Sequence, residues 1–171
     1  MIGYFAFYQT IVREVALYHD HPVLFVEAGV RCGCSARIIR DALIYFKNWK
    51  LVLIDPGPEP EGYELEEDPR VELIVKPAQE IGDLIQDNSV DFLHIDVDVG
   101  GTHEYELNRD VYNALKPKLK ENAVMIFHDC TDAFPGVQQI VKEICEEGWK
   151  AFYCPPAKEC PIAAPVMLLR V

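Results

Sequence analysis

The stretch "FVEAGVRCGCSARII", residues 25–39, decides how the rest of the chain is read. An apolar run carries an acid, Glu27, near its end; a short loop with two glycines, Gly29 and Gly33, follows. Ser35 then opens a stretch with helical spacing. Loops of this shape hold ligands, and a dinucleotide, a phosphate and an adenosyl group are the candidates. A dinucleotide site shows G-x-G-x-x-G directly after its first strand, each glycine with its own steric duty. Here Val30, Arg31 and Cys32 separate the only two glycines. The phosphate loop G-x-x-x-x-G-K-[ST] is also missing, since no lysine follows Gly33.

Outward from this loop the pattern alternates. "VLFVEAG" (23–29) is a continuous apolar run, as a parallel strand buried on both faces requires. Ile38, Ile39, Ala42, Leu43 and Phe46 recur at helical spacing. "KLVLID" (50–55), "VELIV" (71–75), "VDFLHID" (90–96) and "AVMIFHD" (123–129) read as further strands. A short helix with Ile81, Leu84 and Ile85 inward is expected before the fourth strand. Helices at His103–Leu115 and around Val137–Cys145 follow. An extra amphipathic helix is predicted over 5–18, with Tyr8, Ile11, Val12 and Val15 on one face. "WKAFYC" and "PVMLLRV" are expected as a last antiparallel pair. The alternation predicts an α/β fold, a three-layer Rossmann-like sandwich around a mostly parallel seven-stranded sheet with an antiparallel last strand. One domain over 1–171 is expected, with proline- and charge-rich 56–70 as one long exposed loop.

The net charge of -12 argues against a general nucleic-acid binder and disfavours an anionic membrane surface. No apolar stretch approaches the ~20 residues of a membrane-spanning helix. The first residues lack the charged start and cleavage site of a signal peptide, so a cytoplasmic location is expected. Six cysteines, Cys32, Cys34, Cys130, Cys145, Cys154 and Cys160, are then expected as free thiols, although Cys154 and Cys160 form either a bridge or an incidental pair. No second close pair joins Cys32 and Cys34 to make a zinc quartet.

In such sheets the ligand lies beyond the carboxyl ends of the strands, and Glu27, Asp55, Asp96 and Asp129 all fall there. Acids gathered in one crevice repel and desolvate one another. Such a gathering points to a cation or a cationic ligand between them.

These segments resemble a known family. "VEAGVRCGCSA" is similar to the first motif of class I S-adenosylmethionine-dependent methyltransferases, in the form of the catechol O-methyltransferase type. "LIDP" resembles the second motif, and "KPAQEIGDLI" the segment that lines the adenine. "VDFLHID", "HEYE" and "VMIFHDCTDAFPGV" resemble a bacterial O-methyltransferase subgroup that includes macrolide-sugar enzymes and the cephalosporin hydroxylase relative. The resemblance runs in order over about residues 22 to 145.

The resemblance implies a cofactor site of Glu27, Gly29, Arg31, Gly33, Ser35, Asp55, Ala78, Gln79 and Asp96. Gly29 and Gly33 would admit the methionine part, and Ser35 would offer a hydroxyl to its carboxylate. Glu27 would meet the cationic end, Asp55 two ribose hydroxyls, and Gln79 with Ala78 the adenine. Plainer roles stay open: turn glycines, Ser35 as a helix N-cap, Arg31 paired with an acid. A magnesium-type ion would lie on Asp96, His128 and Asp129. Imidazole suits manganese better, so either the ion is softer or Asp98 supplies an oxygen in place of His128.

His103, with Asp96, is the candidate catalytic pair, although the glycine-containing turn before His103 is longer than the family pattern. His19 and His21, before the first strand, are expected to lie in a turn that caps the first helix, with metal ligation as the alternative, and His94 is expected to be a core residue. The implied activity is methyl transfer to a hydroxyl of a small molecule or sugar. A hydroxylase-like relative and a non-catalytic nucleoside-binding module remain as alternatives. A homodimer is compatible with the apolar first helix.

Overall fold

The computed structural model describes residues 2–19, 21–97, 103–154 and 164–170. The strands are β1 (Val23–Ala28), β2 (Trp49–Ile54), β3 (Val71–Ile74), β4 (Val90–Ile95), β5 (Leu119–Phe127), β6 (Trp149–Tyr153) and β7 (Val166–Arg170). The helices are α1 (Ile2–Leu17), α2 (Cys34–Leu43), α3 (Pro60–Tyr63), α4 (Glu104–Leu115) and α5 (Pro135–Glu146). The seven strands form one sheet in the order β3-β2-β1-β4-β5-β7-β6. Only β7 runs against its neighbours, inserted antiparallel between β5 and β6. This is the mixed Rossmann-like sandwich that the alternation predicts.

Both sheet faces are covered, so the strands are apolar on both sides. Val26 and Ala28 of β1 join Val52, Ile54, Leu93 and Ile95 in a core shared with α4 and α5. Phe25 joins Leu51, Leu53, Phe92 and Ile126 in the opposite core, under α1 and α2. Tyr8, Val12 and Val15 are the buried stripe of α1, at helical spacing. Each fully buried side chain of this size contributes roughly 1.5–3 kcal/mol. No helix among the described residues is long and apolar enough to cross a membrane.

Register positions the site. Ala28 pairs with Ile54 on one side and Ile95 on the other, so β1, β2 and β4 end level. The ladder runs one residue further: Gly29 N–H donates to Ile54 O, Asp96 N–H to Ala28 O and His128 N–H to Ile95 O, at 2.8–3.0 Å. The residues that follow these strands therefore emerge along one edge.

Three local expectations need correction. The helix expected at 81–85 is a 3₁₀ turn at Ala78–Glu80 followed by turns. Gly82, about 1 kcal/mol worse than alanine in a helix, interrupts so short a segment. Ile81 and Ile85 are buried as expected, but Leu84 is exposed. α2 stops at Leu43, leaving Ile44 and Tyr45 exposed; Phe46 instead turns the chain and accepts the Trp49 indole N–H at 3.1 Å. Within 56–70, α3 and a 3₁₀ turn replace the loop, pinned by the fully buried Leu65.

Candidate active site at the carboxyl edge of the sheet

A cavity of about 630 Å³ opens at this edge, within the ~300–1,000 Å³ of small-molecule sites. Gly29, Val30, Arg31, Asp55, Gly57, Ala78, Gln79, Asp96, Val97, Leu107, His128 and Asp129 are among its lining residues. Gly29 is left-handed at φ +89°, and a Cβ there would sit 1.9 Å from the Asp96 carbonyl oxygen. Only glycine lets the loop after β1 pass so close to β4.

Asp55 staples this loop to the end of β2. Its Oδ2 accepts the N–H groups of Val30 (2.8 Å) and Arg31 (2.9 Å), and its Oδ1 accepts that of Gly57 (2.8 Å). Oδ1 keeps one lone pair for a ligand hydroxyl. Arg31, also left-handed at φ +48°, turns an exposed side chain to Glu59 at 3.0 Å, which raises its pKa. Arg31 also lines the cavity. Ala78 is buried and Gln79 exposed at the far end.

Glu27, Gly33 and Ser35 lie off the wall among the described residues. Glu27 and Phe25 share the α1/α2 face. There the Glu27 Oε1 accepts the Ser35 hydroxyl at 2.5 Å and lies 3.4 Å from His94 Nδ1. His94 Nε2 shares a hydrogen bond with the Tyr8 hydroxyl at 2.7 Å. Tyr8, His94 and Glu27 are all fully buried, and His94 Nδ1 and Glu27 Oε2 have no hydrogen-bond partner among the described residues. Ser35 is accordingly no N-cap: that position is Gly33, which offers no side chain. Gly33 faces the Leu65 side chain, 2.6 Å from where a Cβ would be, so it packs against the 60–65 segment.

The opposite wall carries Asp96, His128 and Asp129. His128 Nδ1 lies 2.7 Å from Asp129 Oδ1 and 3.6 Å from Asp96 Oδ1. The three ligand atoms lie within 4.8 Å of one another. Asp129 is left-handed at φ +54°, a backbone that costs a non-glycine residue of order 1–3 kcal/mol and that recurs at functional sites. Burial holds the Asp96 carboxyl above the ordinary range, partly offset by His128 and His94. Burial pulls the His128 imidazole down. The hydrogen bond that His128 donates to Asp129 and the charges of Asp96, Asp129 and Glu27 outweigh it, so the net shift is upward.

His103 stands apart. It occupies the N-cap of α4, exposed and off the cavity wall. Asp98 lies outside the described residues, as do Gly100 and Gly101 of the preceding turn, and Cys160. Sequence reasoning missed Val30, Gly57, Val97 and Leu107 on the wall; nothing in the local pattern of Val97 and Leu107 marks them.

It also missed Asp91, at the start of β4. This buried carboxylate accepts Leu24 N–H at 2.9 Å and Lys120 Nζ at 2.8 Å. His19 and His21 stand 3.9 and 3.7 Å away. Lys120 already neutralises it.

A mostly parallel sheet whose first loop is drawn tight under an acid, with more acids along one edge, defines a Rossmann-like fold with a ligand cleft beyond its strand ends. The model of a methyltransferase domain matches residues 26–130, more than half of the chain, and the chain belongs to that family, as a class I S-adenosylmethionine-dependent methyltransferase. A methyltransferase from Geobacter sulfurreducens is 20% identical, with a TM-score of 0.67 over 98% of this chain and 77% of that one. An rRNA methylase from Streptococcus thermophilus is 11% identical at TM-score 0.69, over 95% of each chain. A Streptococcus mutans methyltransferase solved in complex with S-adenosylhomocysteine is 12% identical at TM-score 0.68, over 95% and 97%. At these identities the likeness is one of fold. No curated protein matches the sequence.

Proposed function

We propose that this methyltransferase acts on a hydroxyl of a small molecule or sugar, with a divalent cation on Asp96, His128 and Asp129. The carrying observation is that these three side chains converge on the wall across from Asp55, in the same cavity. The methyl donor fits along the edge. Gln79 and Ala78 meet the adenine, and the free lone pair of Asp55 Oδ1 accepts from the ribose. The loop at Gly29 passes beneath the methionine part. The net charge of -12 favours a small acceptor over a nucleic acid.

One imidazole and two carboxylates make a donor set suited to manganese, iron or zinc over magnesium. When bound, such an ion lowers the pKa of the acceptor hydroxyl and fixes its orientation. Asp96, which unlike His103 is on the wall, takes the hydroxyl proton. The acceptor oxygen attacks the methyl carbon in line as its bond to sulfur breaks, leaving S-adenosylhomocysteine. Asp129 holds the His128 ring in place, and the buried Glu27 lends negative charge from behind.

The test is release of S-adenosylhomocysteine over a panel of hydroxyl compounds, with and without chelator, beside metal content in the wild type and Asp129→Ala. Turnover that chelator abolishes, with metal lost in the variant, is expected. Near-zero metal in both proteins overturns the cation, and turnover on nucleic acid alone overturns the acceptor class.

A further inference from the structure

Outside the cleft wall, the sulfurs of Cys32 and Cys34 lie 3.3 Å apart. The turn that carries them is closed by Gly33 N–H on Val30 O at 2.7 Å, with Gly33 left-handed at φ +76°. Arg37 clamps the turn, donating to the Cys32 carbonyl and to the Glu61 carbonyl, both at 2.6 Å. The two thiols are thus held face to face by a fixed backbone. A disulfide needs sulfurs about 2.05 Å apart, so each has to move by only about 0.6 Å. Cys34 is exposed and Cys32 half-buried, so a small reagent reaches the pair.

Neither sulfur belongs to the cleft, but Cys32 is on its first loop and Cys34 opens α2 directly after it. Val30 and Arg31, just upstream, line the cavity and donate to Asp55. We propose that Cys32 and Cys34 close a reversible disulfide by exchange with a low-molecular-weight disulfide, and that closure displaces the 30–34 turn and weakens binding of the adenosyl ligand. The second half rests on the adenosyl-cleft reading above.

The Cys32 thiolate attacks one sulfur of oxidised glutathione, breaking its S–S bond and releasing one glutathione thiolate. Cys34, on losing its proton, attacks the Cys32 sulfur of the mixed disulfide and expels the second glutathione. Two electrons and two protons pass from the protein to two glutathione molecules. The hydrogen bond with Cys32, with burial second, raises the Cys34 pKa, which favours its thiol form. A bond across one intervening residue is strained, which makes it oxidising and easily reduced.

The whole protein is equilibrated across glutathione redox buffers and trapped by alkylation. Peptide mapping then reads the fraction of the Cys32–Cys34 peptide that has lost two hydrogens, with and without saturating S-adenosylhomocysteine. The expected result is an internal disulfide whose midpoint needs about tenfold more oxidising buffer when the ligand is bound, by reciprocity of coupled equilibria. Separate alkylation of both thiols, or only glutathione adducts, in the most oxidising buffer overturns the disulfide. A midpoint that does not move although calorimetry detects ligand binding overturns the coupling. Calorimetry without binding defeats the adenosyl reading and the coupling together, while the mapping still decides whether the disulfide forms. Cys34→Ser is expected to stop at the glutathione adduct on Cys32.

Discussion

The carboxylate of Asp55 holds the backbone of Val30: Oδ2 accepts that N–H at 2.8 Å, and the next one, of Arg31, at 2.9 Å. The acid that ends β2 is therefore first a structural clamp on the loop after β1. Any ligand hydroxyl meets a carboxylate already oriented by three backbone donors, so little reorganisation accompanies binding.

Asp55→Ala removes clamp and acceptor together. Hydrogen bonds to a charged group contribute about 1.5–3 kcal/mol, so affinity for S-adenosylhomocysteine is expected to fall by about tenfold or more. Urea unfolding should show a smaller loss of stability, because the freed N–H groups reach water. Calorimetry giving wild-type affinity would remove Asp55 from the binding site.

Gly29→Ala places a methyl group 1.9 Å from the Asp96 carbonyl oxygen, on a backbone at φ +89°. Clash and strain together are expected to cost about 3 kcal/mol or more, seen as a lower urea midpoint or loss of soluble protein. Gly148 is the control: it is also left-handed, at φ +102°, but faces open space. Its alanine variant pays the strain alone, about 1 kcal/mol. Equal behaviour of the two variants would refute the close approach.

The layout of the sheet was legible because doubly buried strands leave unbroken apolar runs, and the acids at their ends mark the edge where β1, β2 and β4 finish level. The same property hid the face on which Glu27 lies. A run apolar on both sides has no period-two signal, so nothing local says that Glu27 turns towards α1 and Ser35 instead of the cleft. His94 reads correctly as a core residue, but its partner Tyr8 lies 86 positions away, and only the packing of α1 brings them together. The missing helix at 81–85 shows tertiary packing choosing a turn that still buries Ile81 and Ile85.

Tyr8→Phe keeps the ring and deletes the hydroxyl that meets His94 Nε2 at 2.7 Å. A buried group left without its partner costs about 1–3 kcal/mol, so the urea midpoint should drop although the new side chain is more apolar. Unchanged stability would mean that the chain from Tyr8 to Glu27 contributes nothing to the packing of α1.

The pairing of α4 with α5 carries a pH dependence. Glu147 Oε2 accepts the Tyr112 hydroxyl and Lys116 Nζ, both at 2.7 Å. Burial alone would raise the Glu147 carboxyl, but Lys116 and Tyr112 outweigh it and hold the pKa below its ordinary value. A depressed folded-state pKa means that the stabilisation is present above the unfolded value, about 4.3, and is lost as pH falls through the lower folded one. Glu147→Gln mimics the protonated form. At pH 7 it is expected to be less stable by roughly 0.5–1 kcal/mol, the range for a partly screened pair. That gap should close as the pH is lowered past the depressed value, while Asp68, held down by Arg70, leaves a residual acid sensitivity in both proteins. Urea curves across this range decide it: a constant gap would show that the charge of Glu147 plays no part in holding the two helices together.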